Sequence, residues 1–318
     1  MNKEEARQAK VALVSEIKKY FRENNLKYAV FGLSGGIDSG LIAALLNSAA
    51  STELFPIGIM MPCESDRESV ELARKILGQY IQVRSLFHDL TPVYHAMASE
   101  LYKFEAYSKL QQILPMAEND HKRLAQRKTL VLGNIKARLR MITLYHYAGL
   151  LGNSCVISTD NYSEMVMGFW TLHGDVGDLS PLQFLLKHEV RAIASSFTSF
   201  PREVLQVSPT DGLDVLPGGC DEDQFGCEYD TLDKVITKIH ECGLSYNQLD
   251  NTGVNKVLDH IANQESGDRV IDEDGPWADS ERLLRKMNRA QFKHKVPVCF
   301  SREQLGIKPI EHIKGDLG

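Results

Sequence analysis

Residues 27–50 read KYAVFGLSGGIDSGLIAALLNSAA, and this stretch decides the fold. A short apolar run ends in glycine and serine, and the apolar residues after Gly36 recur at helical spacing, so the segment is strand, tight loop, helix. Outward from it, LFPIGIMMP (54–62) is a second buried strand bounded by prolines, and DRESVELARKILGQY (66–80) is a helix that Ser65 or Asp66 can cap. IQVRSLF (81–87) completes a βαβαβ series. Strands alternating with helices predict a parallel sheet covered on both faces, with ligands at the carboxyl ends of the strands, where the Ser34 loop lies.

Further along, residues 92–128 are polar and helical in pattern, a long helix covers 133–151, SCVISTD (154–160) is another strand and turn, and KHEVRAIASSF (187–197) is an amphipathic helix. EVLQVSPTDGLDVLPGG (203–219) predicts a strand that runs into a Gly/Pro-rich loop. Acids dominate from Asp221 to Ser280, the pattern of a solvated helical surface. Within that block the Gly/Asp/Pro composition of 265–280 makes it a candidate lid. There is no internal repeat. The expected architecture is one Rossmann-like three-layer α/β/α domain with a parallel sheet, its core at about residues 25–230 and a helical C-terminal elaboration at about 231–318.

Composition narrows the class. At 25% charged and 43% hydrophobic residues the chain is globular rather than disordered. With 36 Lys+Arg against 42 Asp+Glu its net charge is −6, which does not suit a protein that coats nucleic acid. No run approaches the roughly 20 apolar residues of a membrane span. The charged, helix-patterned start MNKEEARQAKVALVSEIKKY is unlike a signal peptide, so a cytoplasmic location is expected. The six cysteines form no CxxC pair, and free thiols are expected.

The chemistry concentrates in a few motifs. In Ser34-Gly35-Gly36-Ile37-Asp38-Ser39 two glycines let the backbone turn its N–H groups inward, so that a helix N-terminus faces a bound anion. The two serines add hydroxyls, and Asp38 can hold a divalent cation against a phosphate. In GNIKARLRM (133–141), Asn134 and Arg138 are four apart and share a helix face suited to phosphate or carboxylate, whereas Arg138 and Arg140 diverge. Glu164 is placed to be a second metal carboxylate. Lys187 begins a helix, where its charge opposes the dipole, so an anionic partner is expected.

The Ser34 loop resembles the pyrophosphate-binding loop of N-type ATP pyrophosphatases, and it lacks the lysine of the Walker type. The motif 133–141, the segment TDNYSE (159–164), Asp175 and Asp178, SPL (180–182), Lys187, Pro209-Thr210 and DEDQFG (221–226) follow in the order found in NAD synthetases, which the chain resembles. The resemblance implies that ATP, a co-substrate, is contacted by Gly32, Leu33, Ser34, Gly35, Gly36, Ile37, Asp38, Ser39, Thr159, Lys187 and Thr210. It implies Mg2+ on Asp38 and Glu164, substrate contacts from Asn134, Arg138, Asp178 and Lys293, and catalytic roles for Asp38, Asp175 and Lys187. The implied reaction is amidation of deamido-NAD by ammonia through an acyl-adenylate, in a homodimer. No room precedes the loop for a glutaminase domain, so ammonia is expected free or from a separate protein. Two departures lie on the substrate side: Leu172 stands where many ammonia-using members carry lysine, and Phe292 where they carry histidine. They keep amidation of nicotinate mononucleotide open as an alternative, beside an ATP-sensing paralogue without catalysis.

Overall fold

The computed structural model describes residues 1–103, 109, 118–175, 177–210, 212–213, 219–265 and 276–294. Its sheet is parallel and four-stranded, in the order β3-β2-β1-β4, from β1 (Tyr28–Gly32), β2 (Phe55–Met60), β3 (Arg84–Phe87) and β4 (Ser154–Ile157). Val30 at the centre is in register with Ile57 on one side and Val156 on the other.

Period-2 alternation sends the strand side chains to two different cores. Ala29 and Phe31 pack beneath α1 (Lys3–Glu23), α2 (Ile37–Ala49) and α3 (Arg67–Gln79), whereas Val30, Ile57, Ile59 and Val156 face α4 (Thr91–Leu101) and α5 (Glu118–Leu151). Helices therefore cover both faces, as the βαβαβ pattern predicts. α2 is apolar nearly all round, and Leu41 to Leu46 are each fully buried, because α1 and the later helix α7 (Lys187–Ser195) close over its outer side. Asp66 caps α3 by accepting from Ser69 N at 2.7 Å.

A third core belongs to the C-terminal helices. α6 (Tyr162–Met167), α9 (Asp221–Phe225), α10 (Tyr229–Glu241), α11 (Asn251–Glu265) and α12 (Pro276–Ala290) bury Val166, Leu232, Val257, Leu283, Leu284 and Met287 together. Two 3-10 turns, Tyr246–Gln248 and Gln291–His294, flank this unit.

One expected element changes type. The strand read at 203–207 is instead the short helix α8 (Arg202–Gln206). Pro201 at its N-cap sets φ at −62°, Glu203 sits in the first turn, and the segment packs against α2 and α7, while the outer side of β4 is bridged at Ile157 by Leu179. Local apolar content reads alike for a short strand and a helical turn, and this packing decides. The proposed lid at 265–280 falls mostly outside the described residues.

Candidate active site

At the carboxyl ends of β1, β2 and β4 a cavity of about 280 Å³ opens, floored by Gly32–Ser39 and lined by Ser158–Asp160, Glu164, Asp175, Lys187 and Thr210. The loop shape is set by Gly35, whose φ is +95° and whose absent Cβ would stand 2.3 Å from Ser69 O. Gly36 is the N-cap of α2 and supplies no side-chain cap, so the first-turn N–H groups stay available to an anion. The two serines brace the loop internally: Gly36 N donates to Ser34 Oγ at 3.2 Å, and Ser39 Oγ donates to Gly36 O at 3.0 Å.

Beside this loop sits a buried ionic cluster. Lys187, 1% exposed at the first position of α7, donates from Nζ to Asp38 Oδ2 at 2.6 Å and to Glu164 Oε1 at 2.9 Å. The anionic partner expected of this lysine is thus a pair of the chain's own carboxylates. Burial by itself lowers the Lys187 pKa, but the charges and hydrogen bonds of Asp38 and Glu164 outweigh it and the pKa rises. Burial raises that of Glu164, against the lowering effect of Lys187. Asn161 caps α6 by accepting from Glu164 N, and its Nδ2 donates to Asp38 Oδ1 at 3.0 Å, so one residue locates both acids. Tyr229 Oη lies 3.1 Å from Glu164 Oε1 and 3.1 Å from Asp221 Oδ2, with the Lys187 ammonium 4.8 Å from its ring centre.

The cluster is held from behind by α10. Buried Asp233 accepts from Ser163 Oγ at 2.5 Å, from His188 N at 3.1 Å and from His188 Nδ1 at 2.9 Å, while Lys187 N donates to Ser163 Oγ. Asp233 thereby ties the start of α6 to the start of α7, the two helices that carry Glu164 and Lys187. On the opposite wall Asp160 is pushed up to about 8, first by burial and then by the nearby charges of Asp175 and Glu164. Asp175 accepts from Thr171 N at 2.6 Å.

The residues expected on the substrate side lie elsewhere. Asn134 and Arg138 do share a face of α5, and both grip one segment: Thr171 Oγ1 donates to Asn134 Oδ1 at 2.8 Å, and Arg138 Nη2 donates to Leu172 O at 3.1 Å. Lys293 Nζ donates to Gly168 O and Trp170 O, two residues of that same segment. Asp178 accepts from Val156 N at 2.8 Å and Tyr145 Oη at 2.9 Å. None of the four lines the cavity in this chain. Phe292 is 62% exposed.

Arg140, Asp160, Asn161, Asp221, Tyr229 and Asp233 were not singled out as site residues by sequence reasoning. Arg140 diverges from Arg138 as its spacing predicts, lines the cavity, and donates to Met61 O at 3.4 Å and Gly212 O at 3.1 Å, joining two loops of the rim. An available signal was Asn161, an N-cap residue type three positions before Glu164. Asp221 opens the DEDQFG motif, whereas Tyr229 and Asp233 carry no local signal, since their role depends on the C-terminal helices folding back.

Comparison with known proteins identifies the family. The NAD synthase family model matches residues 10–297. An NH(3)-dependent NAD(+) synthetase of Wolinella succinogenes is 31% identical over 312 residues, covering 96% of this chain and 97% of that protein. The NH3-dependent NAD synthetase structure from Campylobacter jejuni, a complex with nitrate, superposes with a TM-score of 0.64 at 20% identity, covering 95% of this chain and 100% of that one. The NMN synthetase structure from Francisella tularensis gives 0.60 at 24% identity, with 84% and 98% covered. These two structural likenesses bear on the fold. With a family match over nearly the whole length and a relative 31% identical over 96% of it, the chain belongs to the NAD synthase family.

Proposed function

We infer that this chain is a carbon–nitrogen ligase that makes NAD from deamido-NAD, ATP and ammonia, releasing AMP and pyrophosphate. The observation that carries the reading is Lys187 Nζ, held between Asp38 and Glu164 beside the open N-terminus of α2. A triphosphate needs this combination: backbone N–H groups and a dipole for its oxygens, a cation at the leaving group, and carboxylates able to take a metal. In the proposed sequence a substrate carboxylate oxygen attacks the α-phosphorus of ATP, and the α–β bridging bond breaks with its electrons leaving on pyrophosphate. Ammonia then attacks the acyl carbon, the bond to AMP breaks, and the nitrogen loses a proton, for which Asp175 on the cavity wall is the assigned acceptor. No side chain serves as a nucleophile. The loop amides bind phosphate, Lys187 neutralises the leaving group, and Thr159 and Thr210 add hydroxyls at the rim.

Magnesium fits the donor set. Asp38 and Glu164, each bonded to Lys187 Nζ, both line the cavity and remain 17% and 14% exposed, so a cation would sit beside the lysine, and Mg2+ takes one or two carboxylates with phosphate and water completing its shell. Among the described residues no group of three or more His, Cys, Asp or Glu forms a metal site of its own. Bound there, it would supply charge neutralisation at the phosphates.

A homodimer is supported by the outer face of α5, where Leu130, Val131, Ile142 and Leu150 are exposed on a helix long enough to pair. Such a face would place Asn134, Arg138 and Asp178 near a partner, which accounts for their distance from the cavity of a single chain. Five free cysteines among the described residues suit a reducing compartment such as the cytoplasm, and no described helix is long and apolar enough to cross a membrane.

The test is mass spectrometry of products from ATP, Mg2+ and ammonium with deamido-NAD or, separately, nicotinate mononucleotide. NAD and AMP from the dinucleotide are expected. Amidation of the mononucleotide alone would move the substrate, and absence of AMP from both would refute the reading.

A further inference from the structure

Next to Phe169, which lines the cavity, three polar atoms are buried with no hydrogen-bond partner among the described residues: Trp170 Nε1, Gln291 Oε1 and His294 Nε2. They belong to one neighbourhood. Gln291 and His294 are the first and fourth residues of a 3-10 turn, so their side chains eclipse on one face. Both meet Tyr246: Gln291 Nε2 donates to its carbonyl oxygen, and the His294 ring packs edge-on against its ring at 4.9 Å. The His294 ring lies 6.3 Å from that of Trp170, and Lys293, from the same turn, donates to Trp170 O and Gly168 O. Gly168, at φ +62°, makes this closeness possible, because a Cβ there would stand 2.4 Å from that of Ala290. Buried polar atoms are rarely left unpaired, so a cluster of three implies a small occupant.

The donors and acceptors describe that occupant. The indole offers one N–H, while the amide oxygen and the imidazole Nε2 accept. Burial, followed by the Lys293 charge, holds His294 below its ordinary pKa, which favours the neutral ring. An ammonium ion has four N–H groups and no lone pair, so it leaves the indole unmet and is repelled by Lys293. Neutral ammonia has one lone pair and three N–H groups, which answer the indole and both acceptors. We propose that the Trp170–Gln291–His294 pocket holds the ammonia molecule before it attacks the adenylate. The proposal rests on the amidation reading above. The cluster adjoins the cavity, since Phe169 and Asp175 line it and Asp175 also interacts electrostatically with Lys293.

The experiment measures initial rates of NAD formation at fixed pH for the full chain, Trp170→Phe and Gln291→Met, varying ammonium, ATP and deamido-NAD in turn. Loss of one neutral hydrogen bond is expected to raise the KM for ammonium about three- to ten-fold. kcat at saturating ammonium and both nucleotide KM values should stay within two-fold, and at low ammonium more AMP should appear per NAD as water takes the adenylate. An unchanged ammonium KM in both variants, the result if the pocket holds only water, overturns the proposal. So does an equal rise in all three KM values, which marks a structural role. Wild-type protein that makes no NAD refutes the amidation reading itself, a different outcome from either.

Discussion

Replacing Lys187 by Met probes the centre of the site, because it removes a buried cation while preserving most of the side-chain volume. Two carboxylates, 17% and 14% exposed, are then left facing each other without their shared counter-charge. Removing one partner of a buried ionic group costs about 3–5 kcal/mol. With a urea m value of about 3 kcal/mol/M, the unfolding midpoint should fall by about 1–1.7 M at pH 8. The pH dependence supplies the sharper test. In the wild type the folded Lys187 pKa lies above its unfolded value, so its contribution is fully present below the unfolded pKa near 10.5 and is lost only as pH rises through the folded one. In the variant Glu164, already raised by burial, has lost the partner that lowered it. Its folded pKa then exceeds the unfolded value further, so the folded variant binds protons that the unfolded chain releases, and stability falls as pH rises above about 4.5. Urea unfolding at pH 5 and pH 8 should show the deficit shrinking at the lower pH. Millimolar Mg2+ should also stabilise Lys187→Met more than wild type, since the cation position has been vacated. A midpoint within about 0.3 M of wild type at pH 8, corresponding to less than about 1 kcal/mol, together with no change between the two pH values, would refute the reasoning.

Other outcomes follow from single features. Gly35→Ala should destabilise by more than about 2 kcal/mol, since it meets both a positive φ and the Ser69 carbonyl; Gly36→Ala, at φ −74° with only Ser34 Oγ at 3.4 Å, should fold normally, and thermal melts compare them. Asp160→Asn should remove a falling stability slope between pH 4 and 8, because the raised folded pKa of about 8 lets the folded state keep a proton the unfolded chain has lost; denaturation at three pH values within that window reads it. Arg140→Ala should raise the KM for ATP at least several-fold with little loss of stability, as the rim loops at Met61 and Gly212 lose their shared donor; unchanged ATP kinetics would show that the rim needs no such tie.

Much of this molecule is written locally. The alternation in Tyr28–Phe31, the glycines at 35 and 36 and the helical spacing after them specify strand, loop and helix through backbone geometry that needs no distant partner. Repetition of that unit specifies the parallel sheet, and the ordered motifs point to the family. Segment 203–207 shows where local reading ends: its apolar residues are compatible with either state, and packing against α2 and α7 decided for a helical turn. The site shows the same division. Asp38, Glu164 and Lys187 are recognisable as chemistry-bearing residue types, but Asp38 lies 123 and 149 positions from its partners Asn161 and Lys187, and Glu164 lies 23 from Lys187 and 65 from Tyr229. Only the tertiary structure brings the lysine between the two acids, sets Asn161 and Asp233 to hold them, and turns Asn134, Arg138 and Lys293 to grip the segment from Gly168 to Leu172. The physical reason is burial. A charge at the surface can be read one residue at a time, whereas a charge taken out of water is defined by which opposite charges the fold delivers to it.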